Sequence, residues 1–145
     1  MSLSLKFDIK LAEQYKNSSQ KVRVLTEGWV KNEAYCPSCG NTCLEQYSNN
    51  TPVADFFCEN CSEDFELKSK SNGLGKKIVD GAYWTMIDRL ADVHNPNFFL
   101  LNYDLSSYQV YNFFVIPKHF FIPEIIEKRN PLSATARRAG WIGCN

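Results

Sequence analysis

Apolar residues first recur at helical spacing over residues 7–35, with an interruption near residues 17–19. In the second half of this stretch, Val22, Leu25 and Trp29 follow one another at intervals of three and four residues. Such spacing places the three side chains on one face of a helix. We therefore expect a broken helical segment before the first cysteine.

Short aromatic and β-branched stretches, bounded by turn residues, then predict strands. The remaining predicted elements are a loop over residues 36–50, strands over 52–58 and 65–70 joined by a turn at 59–62, a helix over 77–93, strands over 98–103 and 109–116 around a turn at 104–107, and a short helix over 122–129 with Pro123 in its first turn. This order predicts an α/β or α+β domain.

The length of 145 residues, with 44% hydrophobic and 22% charged residues, fits one globular domain and excludes a disordered chain.

Two features of the sequence bear on location. The opening Met-Ser-Leu-Ser-Leu-Lys lacks the basic head and the apolar run of a signal peptide. No apolar stretch approaches the ~20 residues that a membrane helix needs. We therefore expect a cytoplasmic protein.

Charge is distributed unevenly, although the formal net charge is zero. Residues 33–66 carry acidic side chains and no Lys or Arg. Lys68, Lys70, Lys76 and Lys77 follow directly, and Lys128, Arg129, Arg137 and Arg138 lie near the end of the chain. An acidic centre between basic segments suits metal ions that hold a phosphate between cationic walls, but an ordinary solvated surface explains the charges equally well. The neutral total argues against a protein that binds nucleic acid by charge alone.

Two CxxC pairs, separated by eighteen residues, predict a zinc site formed by Cys36, Cys39, Cys58 and Cys61. Each CxxC turn supplies two thiolates from one tight loop, and four thiolates complete a tetrahedral zinc site. The alternatives are two disulfides or ordinary core cysteines, and disulfides are disfavoured in a cytoplasmic protein. Because four thiolates leave no open position, the predicted zinc is structural. We expect the remaining Cys43 and Cys144 to be small buried hydrophobic residues.

The strands predicted on either side of the second cysteine pair place acidic residues and a lysine together. If these strands form one hairpin, alternation puts Glu66 and Lys68 on one face and Leu67 on the other. The zinc knuckle at the turn then fixes the register, which brings Asp55 opposite Glu66. Two close carboxylates suit Mg²⁺, and a neighbouring lysine can orient or help deprotonate an attacking water. The predicted chemistry is phosphodiester hydrolysis.

The candidate catalytic residues are therefore Asp55, Glu66 and Lys68, with Glu27 of the preceding helix as a further carboxylate facing the metal. The predicted magnesium site comprises Asp55, Glu66 and Leu67. By itself, an Asp followed by Glu-x-Lys is also common on solvated strands, and an ordinary surface residue is the alternative for Glu27.

Several basic and aromatic residues are candidate DNA contacts. Those near the carboxylates are Lys70, Lys76 and Lys77, and those near the end are Arg137, Arg138 and Trp141. Arginines bond phosphates or guanine edges, and an indole face can cover a methylated base. The alternative is a packed Trp141 beside two solvated arginines. We expect Tyr83 and Trp84 to serve helix packing rather than base stacking.

The segment Pro-Val-Ala-Asp55, followed after ten residues by Glu66-Leu-Lys68, resembles the motif of the PD-(D/E)xK nuclease superfamily. With the interleaved cysteines, the chain resembles the Dam-replacing family of DpnI-like restriction endonucleases. The resemblance extends over segments 20–27, 35–40, 65–70, 80–83, 95–99 and 136–145. It implies a PD-(D/E)xK restriction-endonuclease-like fold, in which helices flank a central mixed sheet and a four-cysteine zinc knuckle lies within residues 36–61.

The resemblance also implies a function. It implies a type II restriction endonuclease that cleaves duplex DNA at adenine-methylated GATC sites, with structural zinc, with catalytic magnesium, and with Asp55, Glu66 and Lys68 as catalytic residues. Family members continue past the segment matching residues 140–145 and add a winged-helix domain. We therefore expect residues 1–145 to be a nuclease catalytic domain, as a fragment or a shortened relative without the winged-helix domain.

A second hypothesis is a non-catalytic zinc-ribbon module that binds nucleic acid or protein. The separation of the CxxC pairs is also that of zinc ribbons, so the cysteines alone do not distinguish the two. A ribbon has no need of Asp55, Glu66 and Lys68 on adjacent strands, which favours the nuclease.

Overall fold

The structure of the chain, a computed structural model, describes residues 3–49, 51 and 54–145. The chain divides into a first unit, Met1–Gly73 with Pro96–Ile116, and a second unit, Leu74–Asn95 with Pro117–Asn145. Among the described residues, no helix combines the length and the hydrophobicity that crossing a bilayer requires.

The first unit begins with two helical pieces, as the apolar spacing predicts. A 3-10 helix, Ile9–Ala12, precedes helix α1, Ser18–Glu33. Asn17 caps α1, because its side-chain oxygen accepts a hydrogen bond from the Ser19 amide at 2.8 Å. The predicted interruption is thus the cap of a new helix. The buried face of α1 consists of Leu25, Thr26, Trp29 and Val30.

A five-stranded mixed sheet forms the rest of the first unit, and its strand order is β1-β2-β3-β4-β5. The strands are β1 (Glu45–Gln46), β2 (Phe56–Phe57), β3 (Asp64–Ser71), β4 (Asn97–Asp104) and β5 (Gln109–Ile116). β3 and β4 are parallel, and the other neighbouring pairs are antiparallel. The α+β class and the mixed sheet are therefore confirmed.

The edge of the sheet near β1 differs from the prediction. β1 lies inside the predicted loop over residues 36–50, because a strand of two polar residues leaves no alternating pattern. Of the predicted strand over 52–58, only β2 is extended and paired, and residues 52 and 53 lie outside the described residues.

Large apolar side chains from the sheet and α1 form the core of the first unit. The rings of Phe65 on β3 and Phe99 on β4 stack with centroids 4.7 Å apart. Trp29 of α1 meets Phe113 of β5 edge to face at 5.1 Å. Each fully buried side chain of this size contributes about 1.5–3 kcal/mol to stability. Because side chains alternate along a strand, the residues of β3 that alternate with Phe65 point to the opposite face of the sheet.

The second unit contains less regular structure than the sequence predicts. Helix α2 spans only Tyr83–Leu90, although the apolar pattern predicts a helix over 77–93. The Asp80 amide donates to the Cys144 carbonyl oxygen instead of entering a helix, and the Tyr83 amide, at the first position of α2, donates to the Ile142 carbonyl oxygen. Pairing with the distant end of the chain therefore overrides local helical propensity.

The helix predicted over residues 122–129 is also mostly absent. Only a 3-10 turn, Pro123–Ile125, forms there. Beyond it, Lys128 forms an isolated antiparallel bridge with Cys144, which takes this segment out of helical geometry. Cys144 is fully buried as predicted, whereas Cys43 is exposed, so the burial prediction is wrong for Cys43.

Candidate zinc centre and active site

Four cysteine sulfurs converge between the end of α1 and the β2–β3 turn. The Sγ atoms of Cys36, Cys39, Cys58 and Cys61 all lie within 4.8 Å of one another. The Cys36–Cys61 and Cys39–Cys58 sulfur pairs are each 3.6 Å apart. A tetrahedral zinc with Zn–S bonds of about 2.3 Å separates its sulfur ligands by roughly 3.8 Å. The four thiols are unbridged and could together bind a metal ion such as zinc.

The two CxxC turns repeat one backbone pattern. In each, the amide of the fourth residue after the first cysteine donates to that cysteine's carbonyl oxygen at 2.8 Å, namely Gly40 to Cys36 and Ser62 to Cys58. Gly40 has φ +80° and Ser62 has φ +64°, so both turns close through the left-handed region. Glycine adopts that region without strain, which explains Gly40 after the first pair.

Amide side chains surround the sulfurs with hydrogen-bond donors. Asn60 Nδ2 donates to Cys39 Sγ at 3.3 Å, and Asn41 Nδ2 donates to Cys58 Sγ at 3.6 Å. The hydrogen bond from Asn60 lowers the pKa of the Cys39 thiol, whereas burial raises the pKa of the Cys36 thiol. Donors of this kind stabilise thiolates bound to a metal.

The hairpin next to the four cysteines pairs β2 with β3. Phe56 pairs with Phe65 and Phe57 with Asp64, so the predicted pairing of Asp55 with Glu66 falls one residue outside the paired register. The Asp55 amide donates to the Phe65 carbonyl oxygen at 2.9 Å. Asp55 Oδ2 accepts a hydrogen bond from the Leu67 amide at 2.7 Å. The Asp55 carboxylate is thus held against the middle of β3.

Glu66 and Lys68 occupy the same face of β3. Lys68 Nζ lies 3.0 Å from Glu66 Oε1, with 26% of the lysine and 14% of the glutamate side chain exposed. Leu67, between them, packs against the core on the opposite face. The predicted alternation is therefore observed. An ion pair so sheltered from solvent holds the ammonium group in a defined position.

Glu27 joins these residues from α1. Its half-buried carboxylate accepts a hydrogen bond from Gln46 Nε2 on β1 at 2.8 Å. Burial raises the pKa of Glu27, and the nearby charge of Asp55 raises it further, against the lowering effects of Arg23 and the Gln46 hydrogen bond. The structure therefore brings the charge of Glu27 within electrostatic reach of Asp55.

Arg23 and Gln46 are members of this site that the sequence analysis missed. Arg23 precedes Glu27 by four residues on α1, a spacing at which side chains on a helix meet, so a signal for it existed. Gln46 had no such signal, because β1 is too short to be recognised and its partner lies on another element.

The carboxylates form an open arrangement. Among the described residues, only the four cysteines form a group of three or more ligand atoms within 4.8 Å, so Glu27, Asp55 and Glu66 do not form a closed cage. Mg²⁺ usually keeps several waters and takes one or two protein carboxylates together with substrate phosphate oxygens. An open acidic site fits that ion.

The candidate DNA contacts are divided between the two units. Lys70 follows Lys68 by two residues on β3 and is half-buried. The other candidates, Lys76, Lys77, Arg137, Arg138 and Trp141, belong to the second unit. The candidate catalytic residues Asp55, Glu66 and Lys68 and the terminal basic residues therefore belong to different units.

Within the second unit, two of the candidates already have partners. Lys77 Nζ donates to Glu127 Oε1 at 2.7 Å. The guanidinium carbon of Arg138 lies 4.6 Å from the centroid of the Trp141 ring. That ring is half-buried over Gly143, where an added Cβ would lie 2.8 Å from Trp141 Cζ3. Trp84, in contrast, is 59% exposed, so the prediction that it serves helix packing is wrong.

A known protein family matches nearly the whole chain. The family model described as "DpnI: Dam-replacing family" matches residues 3–145. The matched region includes the four cysteines, the candidate catalytic residues and the basic residues near the end of the chain.

Proposed function

Because the chain belongs to the Dam-replacing family of DpnI-like proteins, we propose that it is a magnesium-dependent type II restriction endonuclease. It hydrolyses phosphodiester bonds of duplex DNA at adenine-methylated GATC sites. The family implies a restriction-type nuclease that acts on methylated DNA. The observation that carries the proposal is the Asp55 carboxylate held on the Leu67 amide at 2.7 Å, between Glu66 and Lys68 in the sequence of β3, with Lys68 Nζ 3.0 Å from Glu66 Oε1.

Asp55, Glu66 and the Leu67 carbonyl are the proposed magnesium ligands. The N–H and C=O of one residue in an extended strand point to the same side, as paired residues that exchange both hydrogen bonds require. Since the Leu67 amide reaches Asp55, the Leu67 carbonyl also points toward this edge of β3. Glu27 supplies a further negative charge from α1.

The side chains and backbone groups of the site have different roles in hydrolysis. When bound, magnesium supplies Lewis-acid stabilisation of charge on the phosphate and lowers the pKa of a water. Lys68 orients the attacking water and places a positive charge beside the phosphate. The Leu67 amide fixes the Asp55 carboxylate, and Gln46 fixes the Glu27 carboxylate, so that neither must reorganise when substrate binds. An enzyme of this kind acts on DNA within the cell, and the proposed location is the cytoplasm.

The test is incubation of the chain with Mg²⁺ and plasmid DNA from an adenine-methylating host and from a non-methylating host. We expect cleavage of the methylated plasmid, and little or none of the unmethylated one. Lys68→Ala is the inactive control. Equal cleavage of both plasmids contradicts the substrate assignment. DNA binding without any cleavage in Mg²⁺ favours the non-catalytic zinc-ribbon alternative.

A further inference from the structure

The zero net charge of the chain conceals opposite charges on its two units. The second unit contains eight Lys and Arg residues against five Asp and Glu residues, a net charge of +3. The first unit contains eight against eleven, a net charge of −3. A polyanion is attracted to the second unit, and attraction of this kind dominates the affinity of proteins for the DNA backbone.

The end of the chain organises the basic residues of the second unit. Gly143 forms an isolated antiparallel bridge with Ala82, and the adjacent Cys144 forms one with Lys128. The Arg129 amide donates to the Gly143 carbonyl oxygen at 3.0 Å. Residues 143–144 therefore join the start of α2 to the basic segment 128–129.

Lys128 consequently lies over two aromatic rings. Its Nζ is 4.7 Å from the centroid of Trp84 and 5.4 Å from that of Tyr83. The two rings meet edge to face, with centroids 4.9 Å apart and planes at 74°. Trp84 is 59% exposed and Lys128 is exposed, so the ammonium group is located by the rings while it remains open to solvent.

A lysine held in this way suits contact with a phosphate. Its ammonium group has three donors, and the exposed position of Lys128 leaves it accessible to an anion. A long side chain that is already located loses less conformational freedom when it meets an anion. Lys77 is the contrasting case within the same unit, because Glu127 accepts its hydrogen bond and compensates its charge.

We propose that Lys128, positioned by Trp84 and Tyr83, is a backbone-phosphate contact for duplex DNA. The proposal rests on the proposed function, which supplies DNA as the substrate, and adds a binding site to it. Lys128 is the contacting residue. Trp84 is a positioning residue that acts through Lys128.

The experiment measures binding of the full chain to a methylated GATC duplex, without added divalent metal, over a series of salt concentrations. For Lys128→Ala we expect the slope of log affinity against log salt to fall in magnitude by about 0.9, and affinity at 0.1 M salt to fall roughly fivefold to tenfold. Lys128→Arg should preserve the slope. Lys16→Ala, which removes an exposed lysine of the first unit, is the matched control and should leave the slope unchanged.

Trp84→Ala should weaken binding less than Lys128→Ala, and the double variant should be no weaker than Lys128→Ala alone. An unchanged slope for Lys128→Ala overturns the proposal, even if affinity falls. If the slope is unchanged for Lys128→Ala while the wild-type chain cleaves methylated plasmid, only the Lys128 contact is refuted. If the wild-type chain neither binds the duplex nor cleaves plasmid, both the contact and the proposed function are wrong.

Discussion

In the first unit, the candidate catalytic residues Glu66 and Lys68 lie on the paired strand β3, and a hydrogen bond from the Leu67 amide holds Asp55 beside them. In the second unit, the basic and aromatic residues lie on irregular segments joined by isolated bridges. Hydrolysis requires atoms placed within a fraction of an ångström. Phosphate contact tolerates a looser arrangement, because attraction between charges falls off slowly with distance. Paired strands therefore suit hydrolysis, and irregular segments suffice for contact with phosphates.

The largest effect is expected from the zinc centre, since Cys36 and Cys58 are also fully buried members of the core. We expect about one zinc per chain by elemental analysis. Chelation or Cys58→Ser should unfold the first unit, because structural zinc contributes on the order of 10 kcal/mol to the folding of small zinc domains. Cleavage should be lost with the register of the hairpin.

Cys43→Ser is the matched control for Cys58→Ser. Cys43 is exposed and does not belong to the sulfur cluster, so its loss should leave zinc content and thermal unfolding unchanged. A stable, zinc-free Cys58→Ser chain that still cleaves DNA would contradict the view that the first unit needs a bound metal to place its candidate catalytic residues.

The next effect concerns catalysis alone. Asp55→Ala or Lys68→Ala should lower the single-turnover cleavage rate by ~10²–10³-fold, the usual loss when one electrostatic group acts only in the transition state. DNA affinity and thermal unfolding should change little. Ser69→Ala, which alters an exposed residue on the same strand, should cleave normally. Cleavage by Lys68→Ala at the wild-type rate contradicts the role given to Lys68.

Sequence reasoning succeeded where the determining contacts are local. Strand β5 has its predicted bounds, and Glu66 and Lys68 share one face of β3, because strand alternation is a short-range pattern. It failed for α2, whose first predicted turns pair with residues some sixty positions away. No local pattern indicates such pairing. Gln46 was missed for the same reason.

A smaller effect should separate Trp141 from the phosphate contacts. An adenine methyl group is worth about 1 kcal/mol on burial, so loss of an apolar wall that covers it reduces discrimination by roughly fivefold. We expect Trp141→Ala to reduce the preference for methylated over unmethylated duplex by about that factor at one fixed salt concentration. Equal weakening of both duplexes would show instead that Trp141, packed over Gly143, serves the fold of the second unit.

The smallest effect is a gain in stability on removal of one charge from the first unit. Burial and the charge of Asp55 raise the pKa of Glu27 above its ordinary value of 4.5, so the folded state favours the protonated form. This contribution to stability is present at low pH and is lost as pH rises through the folded pKa. Glu27→Gln keeps the size of the side chain and an oxygen that can accept from Gln46, and it removes the charge. At pH 7 we expect the melting temperature to rise by on the order of 1–3 °C, a modest gain because the side chain is only half-buried.

The rise should vanish as pH falls toward 4, where the wild-type carboxyl is protonated too, and cleavage should fall because a negative charge near Asp55 is lost. In a matched change on the same helix, Glu33→Gln alters a carboxylate that accepts from the Ser4 amide, outside the candidate site, and should leave cleavage unaltered. If the melting temperature of Glu27→Gln equals that of the wild-type chain both at pH 7 and near pH 4, Glu27 is an ordinary solvated residue. In that case, the first unit places its catalytic groups without a cost in stability at this position.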